Sequence, residues 1–112
     1  MEEGQVVRIA MPQADGEHKP RPAILLKRFP PDDDWLMVGI TGSLGRAVPD
    51  LDVLIDFEHP SFALTRLAYP GLVRMAHAHV LPVEQIEGII GRIDPATLAL
   101  IKKRFTEHIL HT

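Results

Sequence analysis

Trp35-Leu36-Met37-Val38-Gly39-Ile40-Thr41 is a bulky, nearly unbroken apolar run that reads as a strand buried on both faces. Such a strand lies in the middle of a sheet, so partners are expected on either side of it. Upstream it is bounded by Phe29-Pro30-Pro31-Asp32-Asp33-Asp34, where prolines and acids cannot continue a central ladder. The run of aspartates reads as a solvated turn in preference to a divalent-cation site. Downstream it ends at Thr41-Gly42-Ser43, which leaves the Thr41 hydroxyl at the rim of the sheet.

Working back from this strand, Lys19-Pro20-Arg21-Pro22-Ala23-Ile24-Leu25-Leu26 turns from polar to apolar within a few residues. The prolines push Lys19 and Arg21 toward extended backbone, so Arg21 is expected at the mouth of a second strand running Ala23 to Lys27. On spacing alone, an arginine there either snorkels to the surface or pairs with an acid. A substrate-binding role needs a second residue. Gln5 to Ala10 reads as a first strand, and Met11 to Lys19 as a turn-rich loop leading to Arg21.

Working forward, Leu44 to Pro49 is loop-like, Leu51 to Asp56 reads as a strand, and Phe62 to Leu67 fits either a helical turn or a strand. Leu72 to Leu81 alternates, which puts Val73, Met75, His77 and His79 on one face and Arg74, Ala76, Ala78 and Val80 on the other. Pro82 to Gln85 reads as a helical turn and Gly88 to Ile93 as a last strand, its glycines permitting close backbone approach. Asp94 is an N-cap with Pro95 at the first helical position, and Leu98, Ile101, Phe105 and Ile109 form the apolar stripe of a closing amphipathic helix. Short strands plus one terminal helix make the fold mainly β with α, a small, partly closed barrel with the helix over an open edge or end.

The length of 112 residues suits a single domain, residues 1–112, with one core. No apolar run approaches the roughly 20 residues of a membrane-spanning helix, so no membrane association is expected. Without cysteine there is no disulfide and no thiolate metal site, and the acidic start Met1-Glu2-Glu3 carries no secretory leader; both fit a cytoplasmic protein. The net charge of −3 argues against a surface coated in basic residues. The charge is nevertheless segregated. No Asp or Glu occurs from His18 to Pro31 or from His59 to Val83, so those segments would make a cationic face if the fold brought them together.

Beyond composition, K-P-R-P-A-I-L-L followed about twenty residues later by V-G-I-T-G-S resembles the MazF/PemK-like toxins, the ribonuclease partners of bacterial type II toxin–antitoxin systems. The opening G-Q-V-V-R-I-A-M-P is similar to that family's first strand. G-L-V-R-M-A-H-A-H-V-L-P-V-E-Q-I-E-G-I-I-G-R-I-D is similar to its late strand, short turn and lead into the last helix. Nearly the whole chain is covered, and the order and spacing of these pieces carry the resemblance.

The resemblance implies an SH3-like barrel with a C-terminal helix, a homodimer, and cleavage of single-stranded RNA with neither metal nor other cofactor. It carries the family's active-site arginine and hydroxyl residue onto Arg21 and Thr41. Metal-free cleavage uses the ribose 2′-hydroxyl as nucleophile, so the protein must move a proton and stabilise charge on the phosphoryl oxygens. Arg21 would clamp that charge, and Thr41 would give a neutral hydrogen bond, since a hydroxyl of ordinary pKa is a poor base. The products would carry 2′,3′-cyclic phosphate and 5′-hydroxyl ends. His18 is the first candidate for an accessory base, because histidine is the side chain suited to proton transfer near neutral pH, and Lys19 and Ser43 are candidate RNA contacts. The loop before Arg21 is in place to fold over substrate. His79 occupies a late-strand position that is basic in many members, which weakens that contact at neutral pH. A cognate antitoxin would hold the enzyme inactive.

Two other readings compete. A catalytically inactive SH3-like module would use the same groove to bind RNA or a peptide. A metal-dependent hydrolase would draw on His77, His79 and Asp32 to Asp34, but no third ligand is spaced near the histidines.

Overall fold

The computed structural model describes residues 1–12 and 18–111, with residues 11, 12 and 18 described in their backbone alone. Among the described residues six antiparallel strands form one sheet: β1 (Gln5–Pro12), β2 (His18–Phe29), β3 (Asp34–Thr41), β4 (Val53–Ile55), β5 (Gly71–Pro82) and β6 (Ile86–Arg92). Their order is β4-β5-β3-β2-β1-β6, so β3 and β2 occupy the middle, where the apolar runs place them. Among the described residues two α-helices complete the chain, α1 (Phe62–Thr65) and α2 (Pro95–Leu110), with short 3-10 turns at Leu44–Arg46 and Val83–Gln85. Among the described residues no helix is long and apolar enough to cross a membrane.

Burial on both faces follows from the sequence of the middle strands. Ile24 and Leu26 of β2 and Val38 and Ile40 of β3 join Val6, Val53, Ile55, Val73, Met75 and Ile101 in one core cluster. The intervening residues Ala23, Leu25, Trp35 and Met37 join Val7 and Ile9 in a second cluster on the opposite face. Alternate residues thus reach separate cores. The stripe of α2 packs on the first cluster through Ile101, Leu98 and Phe105, but Ile109 is 66% exposed, so the stripe ends one turn earlier than its spacing suggests.

The expected class, mainly β with a C-terminal helix, holds, and the sheet of the partly closed barrel is not closed. Its two edge strands, β4 and β6, are not paired to each other among the described residues, and α1, which follows β4, packs against β6 in place of a ladder. Gly91 makes that approach close, because a Cβ there would meet the Leu64 carbonyl oxygen and come within 2.6 Å of the Thr65 carbonyl oxygen. Gly88 has open space, so only one of the two glycines serves the approach. The two helices are tied by Ser61 and Asp94. The Ser61 hydroxyl donates to Asp94 Oδ2 at 2.5 Å and accepts from the Asp94 N–H at 2.8 Å, while Asp94 Oδ1 caps α2 by accepting from the Thr97 N–H at 2.8 Å.

Several boundaries move. β2 begins before Arg21, not at it, and Pro20 and Pro22 pair with Ala10 and Arg8 of β1. The ladder to β3 starts only at Ala23, so the prolines fall where β2 is bonded on one side, as residues without an N–H require. β1 and β2 pair out to Pro12 and His18, so both ends of the expected loop are strand, and residues 13–17 lie outside the described residues. The loop's proposed closure over substrate therefore also lies outside the described residues. β4 is shorter than expected, and Phe62 to Thr65 resolves as helix.

Candidate active site

β2 and β3 are in register at Ala23↔Gly39, and Arg21 and Thr41 each lie two residues further toward the same end of the pair. Both therefore stand on the face of the second core cluster, at its solvent edge. Arg21 is exposed and Thr41 half-buried. The small side of that face, Ala23 beside Gly39, lies between them and the packed Leu25 and Met37. Among the described residues no carboxylate pairs with Arg21, whereas Lys27 and Lys102 pair with Glu3 and Arg28 pairs with Asp33.

Thr41 is held by its own turn: the Ser43 N–H donates to Thr41 Oγ1 at 3.2 Å. That leaves the hydroxyl proton free to donate outward. Ser43 is exposed beside it. Gly42 does not adopt a left-handed backbone and a Cβ there would meet nothing, so the turn does not depend on glycine. Lys19 is exposed and shares the Arg21 face by its two-residue offset. The side chain of His18 lies outside the described residues. His79 is half-buried opposite Met37, on the same face as Thr41 but further along the strand.

The two acid-free segments supply β2 and β5, which flank β3 on either side. Arg21 approaches from one neighbour, and Arg74 and His77 from the other. Simple alternation puts Arg74 and His77 on opposite faces. The structure overrides it, because Val38 pairs with Ala78 and Ile40 with Val73, leaving Gly39 facing residues 74–77. Asp52, buried, compensates the broken ladder: its Oδ1 accepts from the Met75 N–H at 3.0 Å and its Oδ2 from the Val48 N–H at 2.9 Å. Nothing in the periodicity marks this bulge; the surplus of β5 length over its partner is its only trace in the sequence.

Among the described residues no group of three or more His, Cys, Asp or Glu side chains converges as a metal would require. The set His77, His79 and Asp32 to Asp34 is not one site, and the metal-hydrolase reading loses its ligands.

The family model described as "PemK-like, MazF-like toxin of type II toxin-antitoxin system" matches residues 2–109. The chain belongs to this family. As a MazF-like toxin it is an endoribonuclease of a toxin–antitoxin system, and the inactive binding module is set aside. Solved structures share the toxin fold. "Mycobacterium tuberculosis toxin MazF-mt6" is 21% identical with a TM-score of 0.69, over 96% of this chain and 98% of that one. "Endoribonuclease in complex with its cognate antitoxin from Mycobacterial species" is 16% identical with a TM-score of 0.73, over 100% of this chain and 97% of that one. "Crystal structure of Mtb toxin" is 19% identical with a TM-score of 0.66, over 91% and 97%. The search of curated proteins found none that matches the chain.

Proposed function

We propose that this toxin cuts single-stranded RNA at Arg21 and Thr41 by attack of the 2′-hydroxyl on the adjoining phosphate. The bond from O2′ to phosphorus forms as the bond to O5′ breaks; one proton leaves the 2′-hydroxyl and one reaches O5′. Arg21 binds the non-bridging oxygens, and its planar fork strengthens as their charge grows. Thr41 donates its hydroxyl proton to the phosphate or orders the 2′-hydroxyl, one of its oxygen's two lone pairs being held by the Ser43 N–H. Lys19 and Ser43 contact the RNA backbone on either side, His79 lies further out along the same face, and His18 is put forward as the proton acceptor. No metal or organic cofactor enters the reaction.

The observation that carries this reading is the shared face of Arg21 and Thr41 at the open end of the Ala23–Gly39 pair. The enzyme acts in the cytoplasm as a homodimer, and a cognate antitoxin neutralises it by covering this cationic edge. The test is cleavage of a long single-stranded RNA in excess EDTA by wild type and Arg21→Ala. Wild type is expected to give discrete fragments and the variant to leave the RNA intact. Equal cleavage by both would remove Arg21 from the site.

A further inference from the structure

The bulge opposite Gly39 creates a second polar pair that the Arg21–Thr41 chemistry does not use. Arg74 Nη1 lies 3.3 Å from His77 Nε2. A guanidinium has donors only, so the bond has one sense: Arg74 donates, and Nε2 must carry the lone pair. A neutral ring with its lone pair on Nε2 carries its proton on Nδ1. The surroundings favour that neutral ring. Desolvation and the neighbouring Arg74 lower the His77 pKa, His79 and Arg46 push the same way, and only Asp52 opposes them.

The Nδ1 edge looks toward Gly39. A Cβ on Gly39 would lie 3.2 Å from His77 Cβ and 3.7 Å from Nδ1. Gly39 is also the residue before Thr41 on the catalytic face, one strand repeat of about 7 Å away. That is roughly the reach of one nucleotide. The arrangement is poorly explained by stability, since Arg74 Nε is buried with no hydrogen-bond partner and no carboxylate pairs with Arg74 among the described residues.

We propose that His77 is an RNA-contact residue, its Nδ1–H donating to a phosphodiester oxygen of the nucleotide next to the scissile one, with Arg74 as the positioning residue that sets the ring. A phosphate fits better than a base edge because the permanently charged Arg74 and Arg46 lie near enough to act on the His77 ring. The inference rests on the Arg21–Thr41 reading for which phosphate is cut.

The test is binding of a mixed-sequence oligonucleotide with 2′-fluoro in place of every 2′-hydroxyl, which 2′-attack cannot cleave, followed by fluorescence anisotropy. His77→Ala is expected to weaken binding about tenfold, the loss of one hydrogen bond to a charged acceptor. His77→Asn places an amide N–H near the position of Nδ1 and is expected to bind within about twofold of wild type. His77→Gln reaches toward the Nε2 position instead and is expected to resemble His77→Ala. Wild-type affinity in His77→Ala, or Gln substituting as well as Asn, would overturn the proposal; the Asn–Gln contrast stays informative even if the alanine variant folds poorly. Cleavage of ordinary RNA by Arg21→Ala is read alongside. Retained cleavage there would remove the Arg21–Thr41 reading without bearing on whether His77 binds.

Discussion

Ile9 on β1 is the cross-strand partner of Arg21 on β2, and Ile9 is only 1% exposed. Arg21 itself is exposed, so the planar fork of the guanidinium, and not burial, would have to carry its contact with a phosphate. Arg21→Lys keeps the charge but loses the planar fork. It is expected to retain a small fraction of activity, while Arg21→Ala loses about 10²–10³ in rate, the scale of one preorganised charge contact. Thr41→Ala is expected to lose less. Initial rates of fragment formation check the series, and circular dichroism confirms that each variant is folded.

Gly91 is expected to be the least replaceable glycine of the sheet. A Cβ there meets backbone carbonyls of Leu64 and Thr65, which cannot rotate away as a side chain can. Gly91→Ala is expected to cost about 1–3 kcal/mol, the range for overpacking. Gly88→Ala, in open space, is expected to be neutral or to stabilise by a few tenths of a kcal/mol through the unfolded chain. Urea denaturation of the two variants measures the difference.

Much of this was legible in the residues. The β2 and β3 runs announce themselves as central strands because both their faces are apolar, and Asp94-Pro95 announces the start of α2 because cap and first-turn chemistry are local. Placing Arg21 and Thr41 at one sheet end needs only strand order and the turn between them. The Arg74–His77 pair was not legible, since it depends on a bulge that reverses strict alternation and on Asp52, distant in sequence, holding Met75. The class, mainly β with a C-terminal helix, is legible as β2, β3 and α2 are, but whether the two edges meet is not, since that depends on α1 and Gly91 and not on any strand's own pattern.

Asp94 gives the fold a defined acid sensitivity. The Ser61 hydroxyl first, then the Thr97 N–H, hold its carboxyl down to about 2 from an ordinary 3.8. The contribution to stability is complete above the unfolded value and is lost as pH falls from near 3.8 through about 2. Asp94→Ala is expected to cost about 1 kcal/mol at neutral pH, the usual worth of an N-cap, and to flatten the stability profile across that acid window. Urea midpoints measured down the pH series provide the check.

The α2 stripe makes a paired prediction. Ile101 is fully buried in the main core, so Ile101→Ala is expected to cost about 2–5 kcal/mol. Ile109, one turn past the packed surface, is expected to change stability by less than about 0.5 kcal/mol when cut to Ala. Thermal unfolding of both variants decides whether the packed stripe ends at Phe105.

The chemistry of the fragment ends is the most direct measurement of the central claim. Single-stranded RNA digested in excess EDTA should yield fragments whose 5′ ends accept phosphate from a kinase without prior dephosphorylation and whose 3′ ends carry a 2′,3′-cyclic phosphate. Fragments with 5′-phosphate ends, or cleavage that appears only when a metal is restored, would contradict a 2′-hydroxyl attack directed by Arg21 and Thr41.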